Sequence, residues 1–186
     1  KWTFRNTNYN LELESSPALG DVDGDGMPEI AVAGHYKFTV FNGNGTLRWE
    51  VPMYDATGGS ITPIFFDLNG DRKLEIAVND GRNFFVFNGD TGAILFSTPN
   101  PAGTFYEVPA VADVDNDGHA EFIVFGGQHA WNDPYSGGIR VFTDRNGNWV
   151  NSRRIWNQHS YHVTNIDEDG YIPLREEDSW KKFNCY

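Results

Sequence analysis

The chain has 186 residues, of which 39% are apolar and 15% aromatic. That is enough to bury the core of one domain, and it excludes an intrinsically disordered chain. Its 26 acidic against 14 basic residues leave a net charge of −12, which repels nucleic acid and anionic membrane surfaces.

The single cysteine, Cys185, excludes an internal disulfide and any CxxC metal or redox motif. No apolar run approaches the roughly 18 residues of a membrane-spanning helix, and no membrane insertion is expected. The sequence opens at Lys1 without a charged-then-apolar leader and reads as a processed chain or a piece of a longer one.

Its first segment, KWTF at 1–4, matches LRWE at 47–50 and is predicted to be the outer strand of a preceding unit. The next stretch, PALGDVDGDGMPEIAV from Pro17, begins a run of four short segments at 16–22, 29–33, 37–42 and 46–51. They are rich in Val, Ile, Phe and Trp and bounded by turn residues, the signature of strands. None has the length or the 3.6-residue period of an ordinary helix. The last connection holds Asn44-Gly45-Thr46, a glycosylation sequon by pattern, where Asn-Gly is expected for a hairpin turn alone.

The pattern returns at an offset of 46 residues as PIFFDLNGDRKLEIAV from Pro63, and again as PAVADVDNDGHAEFIV from Pro109. TVFNG at 39–43 likewise returns as FVFNG at 85–89. The third counterpart, RVFTDRNG from Arg140, arrives nine residues late, so HAWNDPYSG at 129–137 reads as an insertion. Three repeats are expected at about 14–59, 60–105 and 106–152, with 153–186 a degenerate fourth repeat or closing segment. Four strands in such a period are the arithmetic of a β-propeller blade. The predicted fold is therefore all-β, a partial propeller or a fragment of a larger ring, with Trp2, Trp49, Trp149 and Trp180 packing in its cores.

In each repeat the first inter-strand loop places acids at alternate positions. Positions one, three and five are Asp21, Asp23 and Asp25, then Asp67, Asn69 and Asp71, then Asp113, Asp115 and Asp117. Position nine is Glu29, Glu75 and Glu121. A hard dication with six to eight oxygen ligands needs alternate residues pointing inward, a backbone carbonyl filling in and a glycine permitting the bend. Met27, Lys73 and His119 offer that carbonyl at position seven, and about three Ca2+ ions are predicted. An EF-hand would need its bidentate glutamate at position twelve, where Val32, Val78 and Val124 stand, and a strand follows instead of a helix.

Asp, Asn and Gly also form turns without metal. Three loops in register, each with an acid at position nine, favour the ion. The second loop has Asn69 at position three and Arg72 where glycine belongs, so it is expected to be the weakest site. A fourth, degenerate loop is possible at Asn165, Asp167 and Asp169, with Pro173 in place of the glutamate.

The Asp-x-Asp/Asn-x-Asp-(Gly)-x-x-Glu pattern resembles the calcium loops of FG-GAP and VCBS-type repeats, the blades of integrin alpha subunits and many bacterial surface proteins. The resemblance covers residues 14 to about 145. It implies a β-propeller of four-stranded blades, an extracellular or cell-surface location, and non-enzymatic recognition or adhesion toward a protein or carbohydrate ligand. Two other readings stay open: an accessory or catalytic propeller of a polysaccharide-active enzyme, and a structural subunit of a surface filament or array, with further domains or copies.

In an antiparallel meander the insertion lies at the end opposite the calcium loops, where Trp131, Asp133 and Tyr135 offer an aromatic platform beside an acid for a sugar or peptide. The stretch RRIWNQHSYHVTN at 153–165 is expected to be structural, and it resembles a segment that ends FG-GAP regions of large bacterial surface proteins. A catalytic reading would have to use Arg140, Arg153 and Arg154 near His159, because no G-x-S-x-G, H-E-x-x-H or P-loop is present.

Overall fold

Among the described residues the alternating apolar segments form eleven strands, arranged in three antiparallel sheets. A computed structural model describes residues 3, 15–55, 61–103, 107–127, 137–156 and 161–179. The first sheet is a meander of β1 (Ala18–Gly20), β2 (Glu29–Ala33), β3 (Lys37–Phe41) and β4 (Leu47–Pro52). The second repeats it with β5 (Ile64–Phe66), β6 (Glu75–Asn79), β7 (Asn83–Asn88) and β8 (Ile94–Pro99). The third holds β9 (Ala110–Ala112), β10 (Glu121–Gly126) and β11 (Gly138–Phe142). The fold is all-β with blade-like sheets, and closure into a ring is not part of the described structure.

Register carries the repeat into three dimensions. Val32 pairs with Thr39, Val78 with Phe85 and Val124 with Arg140. The extra residues of the third repeat therefore all fall in the β10–β11 connection. Trp131, Asp133 and Tyr135 lie there, outside the described residues; Trp2 with most of the KWTF segment, His159, Trp180 and Cys185 also fall outside the described residues.

Strand periodicity also explains how the sheets stack, because successive side chains point to opposite faces. Every residue of β6 is buried. Ile76 and Val78 face a core with Phe38, Val40, Ala31 and Ala33 of the first sheet, while Ala77 faces a core with Phe122, Val124 and Val111 of the third. Trp49 packs against the first core and Trp149 against the second, as their sequence positions suggest.

The third repeat departs from the expected four strands. Among the described residues none follows β11. The segment that should have formed an outer strand lies between two acidic loops instead. The Val150 amide donates to the Leu68 carbonyl, the Ala120 amide to the Val150 carbonyl, and the Asp113 amide to the Arg153 carbonyl. Trp149 sits edge-on to Phe122 with ring centroids 5.4 Å apart. Backbone groups satisfied by neighbouring loops, with a half-buried indole packed against the core, hold this segment away from β11.

Candidate metal centre

Each acidic loop joins the first strand of a sheet to the second, and the three fold alike. The position-one carboxylate accepts the amide of position six: Gly26 to Asp21 Oδ2 at 2.8 Å, Arg72 to Asp67 Oδ2 at 2.9 Å, and Gly118 to Asp113 Oδ2 at 3.2 Å. The position-nine glutamate, buried at the start of the second strand, reaches back to the amide of position two. Those bonds are Val22 to Glu29 Oε2 at 3.1 Å, Leu68 to Glu75 Oε2 at 2.8 Å, and Val114 to Glu121 Oε2 at 2.9 Å.

Positions four and six both take left-handed backbone, as Gly24 and Gly26, Gly70 and Arg72, Asn116 and Gly118. Arg72 does so at φ 71°, where a side chain is strained and glycine is not. The recurring left-handed position four is a feature that the acid spacing does not announce.

This wrapping brings carboxylates together in two of the loops. In loop 1, oxygens of Asp21, Asp23 and Glu29 lie within 4.8 Å of one another, and in loop 3 those of Asp113, Asp115 and Glu121 do the same. Loop 2 has an amide, Asn69, at position three. The acids at position five play a different part: Asp25, Asp71 and Asp117 each accept the amide of position seven through Oδ1, at 2.7, 2.8 and 2.8 Å. Met27, Lys73 and His119 thus hold the loop through their amides. The His119 ring turns away, with Nδ1 2.8 Å from the Trp149 carbonyl.

Loop 3 carries the clearest sign of a donor set suited to a cation. Asp21 Oδ1 accepts the Gly24 and Asp25 amides and Asp67 Oδ1 the Gly70 amide. Asp113 Oδ1 and Glu121 Oε1 are buried with no hydrogen-bond partner among the described residues. Buried carboxylate oxygens left unmatched are costly, and a dication matches both at once. The donor set is all oxygen, which suits calcium or magnesium rather than a soft metal. Asp113, Asp115 and Glu121 would hold the ion there, and Asp21, Asp23 and Glu29 in loop 1. The ion would neutralise charge that the fold has drawn out of water.

Electrostatics agree with crowded acids. Burial pushes the Glu75 carboxyl up to about 7, with Asp71 and Asp67 adding to the Leu68-opposed shift. Burial also raises Glu29, helped by Asp23 and Asp25 and opposed by the Val22 amide and Arg48. Burial acts upward on Asp23 as well, but the Asp25 amide and Arg48 outweigh it and hold its carboxyl below the ordinary value.

The remaining sequence candidates have the following partners. Asn165 Oδ1 accepts the His162 amide, whereas Asp167 closes a turn by accepting the Asp169 and Tyr171 amides. Arg153 donates to the Val163 and Ile166 carbonyls, Arg154 to Asn116 Oδ1 of loop 3, and Arg140 to the Pro99 carbonyl. His162 pairs with Glu176.

A family model described as FG-GAP-like repeat matches residues 21–78 and 67–124, each match running from one acidic loop through the next loop and its following strand. The chain belongs to the FG-GAP-like repeat family. The first match contains loops 1 and 2 of this FG-GAP-like array and the second contains loops 2 and 3. No curated protein matches the chain.

Among solved structures the array is similar to the Vibrio cholerae biofilm matrix protein Bap1, with 28% identity over 84% of this chain and a TM-score of 0.76. It spans 26% of that Bap1 chain, about a quarter of its length. A Bacillus licheniformis rhamnogalacturonan lyase, PL11, aligns with 74% of this chain and 33% of its own at 19% identity and a TM-score of 0.48. The rhamnogalacturonan lyase YesW aligns with 60% and 31% at 17% identity and 0.42. Among the described residues no helix is long and apolar enough to cross a membrane.

Proposed function

We propose that this FG-GAP-like array is a calcium-stabilised, non-enzymatic extracellular module for recognition or adhesion, with a protein or carbohydrate at a cell surface or in a matrix as its ligand. The observation that carries the calcium reading is the pair of buried, unmatched oxygens Asp113 Oδ1 and Glu121 Oε1 within the loop 3 cluster. Likeness to a biofilm matrix protein supports the extracellular setting. Loops 1 and 3 are the principal sites, and loop 2, with Asn69 and a strained Arg72, is a weaker one.

A site with a Kd near the roughly 10⁻⁴ M of extracellular modules fills at millimolar calcium and stabilises the fold by about 1 to 2 kcal/mol. The engagement of Arg140, Arg153 and Arg154 in structural bonds supports the non-enzymatic reading.

The test is thermal unfolding in EDTA, in millimolar calcium and in millimolar magnesium, with calorimetric titration for stoichiometry and Asp113→Asn as the variant. Calcium should raise Tm well beyond magnesium, and the variant should lose one ion. Equal Tm in EDTA and calcium, without binding heat, would refute the metal sites. Retention of cells or matrix polysaccharide on the immobilised, calcium-loaded chain then tests adhesion, and turnover of a polysaccharide would overturn the non-enzymatic reading.

A further inference from the structure

Loops 1 and 3 present the same three carboxylates, yet the protein answers their charge differently. Arg48, on β4, places Nη2 2.8 Å from Asp23 Oδ2 at position three of loop 1. The same guanidinium pairs with the Asp90 carboxylate, donates from Nε to the Asp90 carbonyl at 3.0 Å, and from Nη1 to Asn42 Oδ1 at 2.8 Å. Asp90 belongs to the β7–β8 turn of the second sheet, so one side chain joins loop 1 to its neighbour. The side chains of Arg48 and Asp23 are only 17% and 21% exposed, which limits screening by water and salt.

Among the described residues no lysine or arginine pairs with the carboxylates of loop 3. Arg154 bonds the neutral Asn116 Oδ1, and Asp113 Oδ1 and Glu121 Oε1 stay unmatched. By strand register the counterpart of Arg48 in the second sheet is Leu95, an exposed apolar residue.

We propose that Arg48 is a resident counter-ion of loop 1 that sets the order of filling, making loop 3 the tighter calcium site and loop 1 a weaker one that needs higher calcium. The inference rests on reading the loops as calcium sites. A cation entering loop 1 meets a fixed positive charge within a few ångströms and must share Asp23 with it. Repulsion of that kind lowers affinity about tenfold where solvent screening is partial. The residue also lets the first sheet dock on the second when calcium is low.

Calorimetric titration of the whole chain with calcium, as wild type and as Asp21→Asn, Asp113→Asn and Arg48→Gln, tests this. Near-ultraviolet circular dichroism checks that each variant folds. Asp113→Asn should remove the tighter class of site and Asp21→Asn a weaker one. Arg48→Gln should strengthen the Asp21-dependent class about tenfold, leave the Asp113-dependent class unchanged, and lower Tm in EDTA through the lost Asp90 bonds.

An Asp21-dependent class that Arg48→Gln leaves unchanged or weakens overturns the proposal. So does removal of the tighter class by Asp21→Asn, a result that stands even if Arg48→Gln does not fold. Calcium binding with the order reversed thus overturns this proposal and leaves the calcium reading standing, whereas absence of any binding heat in the wild type removes the calcium reading with it.

Discussion

Glu75 shows what it costs to gather acids around a buried position. Its carboxyl is raised from an ordinary 4.5 to about 7, chiefly by burial. Without metal, the folded chain therefore holds a proton on Glu75 between those values that the unfolded chain has released. Stability must then fall as pH rises through that window, since the folded state binds more protons than the unfolded one. Chemical denaturation in EDTA at steps from pH 4.5 to 7 should show that fall, and Glu75→Gln should flatten it. A profile equally steep in the variant would assign the effect to other groups.

The glycine at position six makes a second case. A methyl group on Gly26 would meet no atom within 4 Å, but its φ of 85° is left-handed. Gly26→Ala should thus cost about 1 to 2 kcal/mol by backbone strain alone, read as a lower denaturation midpoint with an unchanged slope. At this scale the acids at positions one, three and nine were legible because their spacing repeats in the sequence. Arg48 was not, because it reaches loop 1 from another strand and no local pattern encodes that contact.

At the scale of elements, the turn between β7 and β8 fixes how the first two sheets meet. The Trp49 indole donates to the Gly89 carbonyl at 2.8 Å, and a Cβ on Gly89 would lie 2.1 Å from the Leu74 carbonyl oxygen and 2.9 Å from the Val22 side chain. A clash with backbone cannot be relieved by a rotamer change. Gly89→Ala should destabilise by about 3 kcal/mol or more through overpacking, well beyond Gly26→Ala, and equilibrium denaturation of the two variants side by side checks the ranking.

The strands themselves were readable from alternation and turn residues; β2 occupies the segment 29–33 that the pattern assigns to it. The outer strand of the third repeat was misjudged for a physical reason. Residues 149–153 have strand-like composition, and their hydrogen bonds go to Leu68, Ala120 and Asp113. Such non-local partners are not visible in composition.

Across the whole molecule the middle sheet is shared, since β6 and β7 supply side chains to both cores: Ile76, Val78 and Phe87 to one, Ala77, Phe84 and Val86 to the other. Neither outer sheet keeps a core if the middle one opens. The loops are tied in the same way, loop 1 to the second sheet through Arg48 and Asp90, loop 3 to loop 2 through Val150. Calcium bound at either end should therefore stabilise one cooperative unit rather than a single blade. Differential scanning calorimetry should give one transition in EDTA and one in calcium, the second at higher temperature, with calorimetric and van't Hoff enthalpies agreeing in both. The net charge of −12 adds self-repulsion that salt screens. The gap between the two transitions should thus narrow as sodium chloride rises, because screening relieves the metal-free form more than the loaded one. Two separate transitions in EDTA would mean that the sheets unfold independently and that calcium acts locally on each loop.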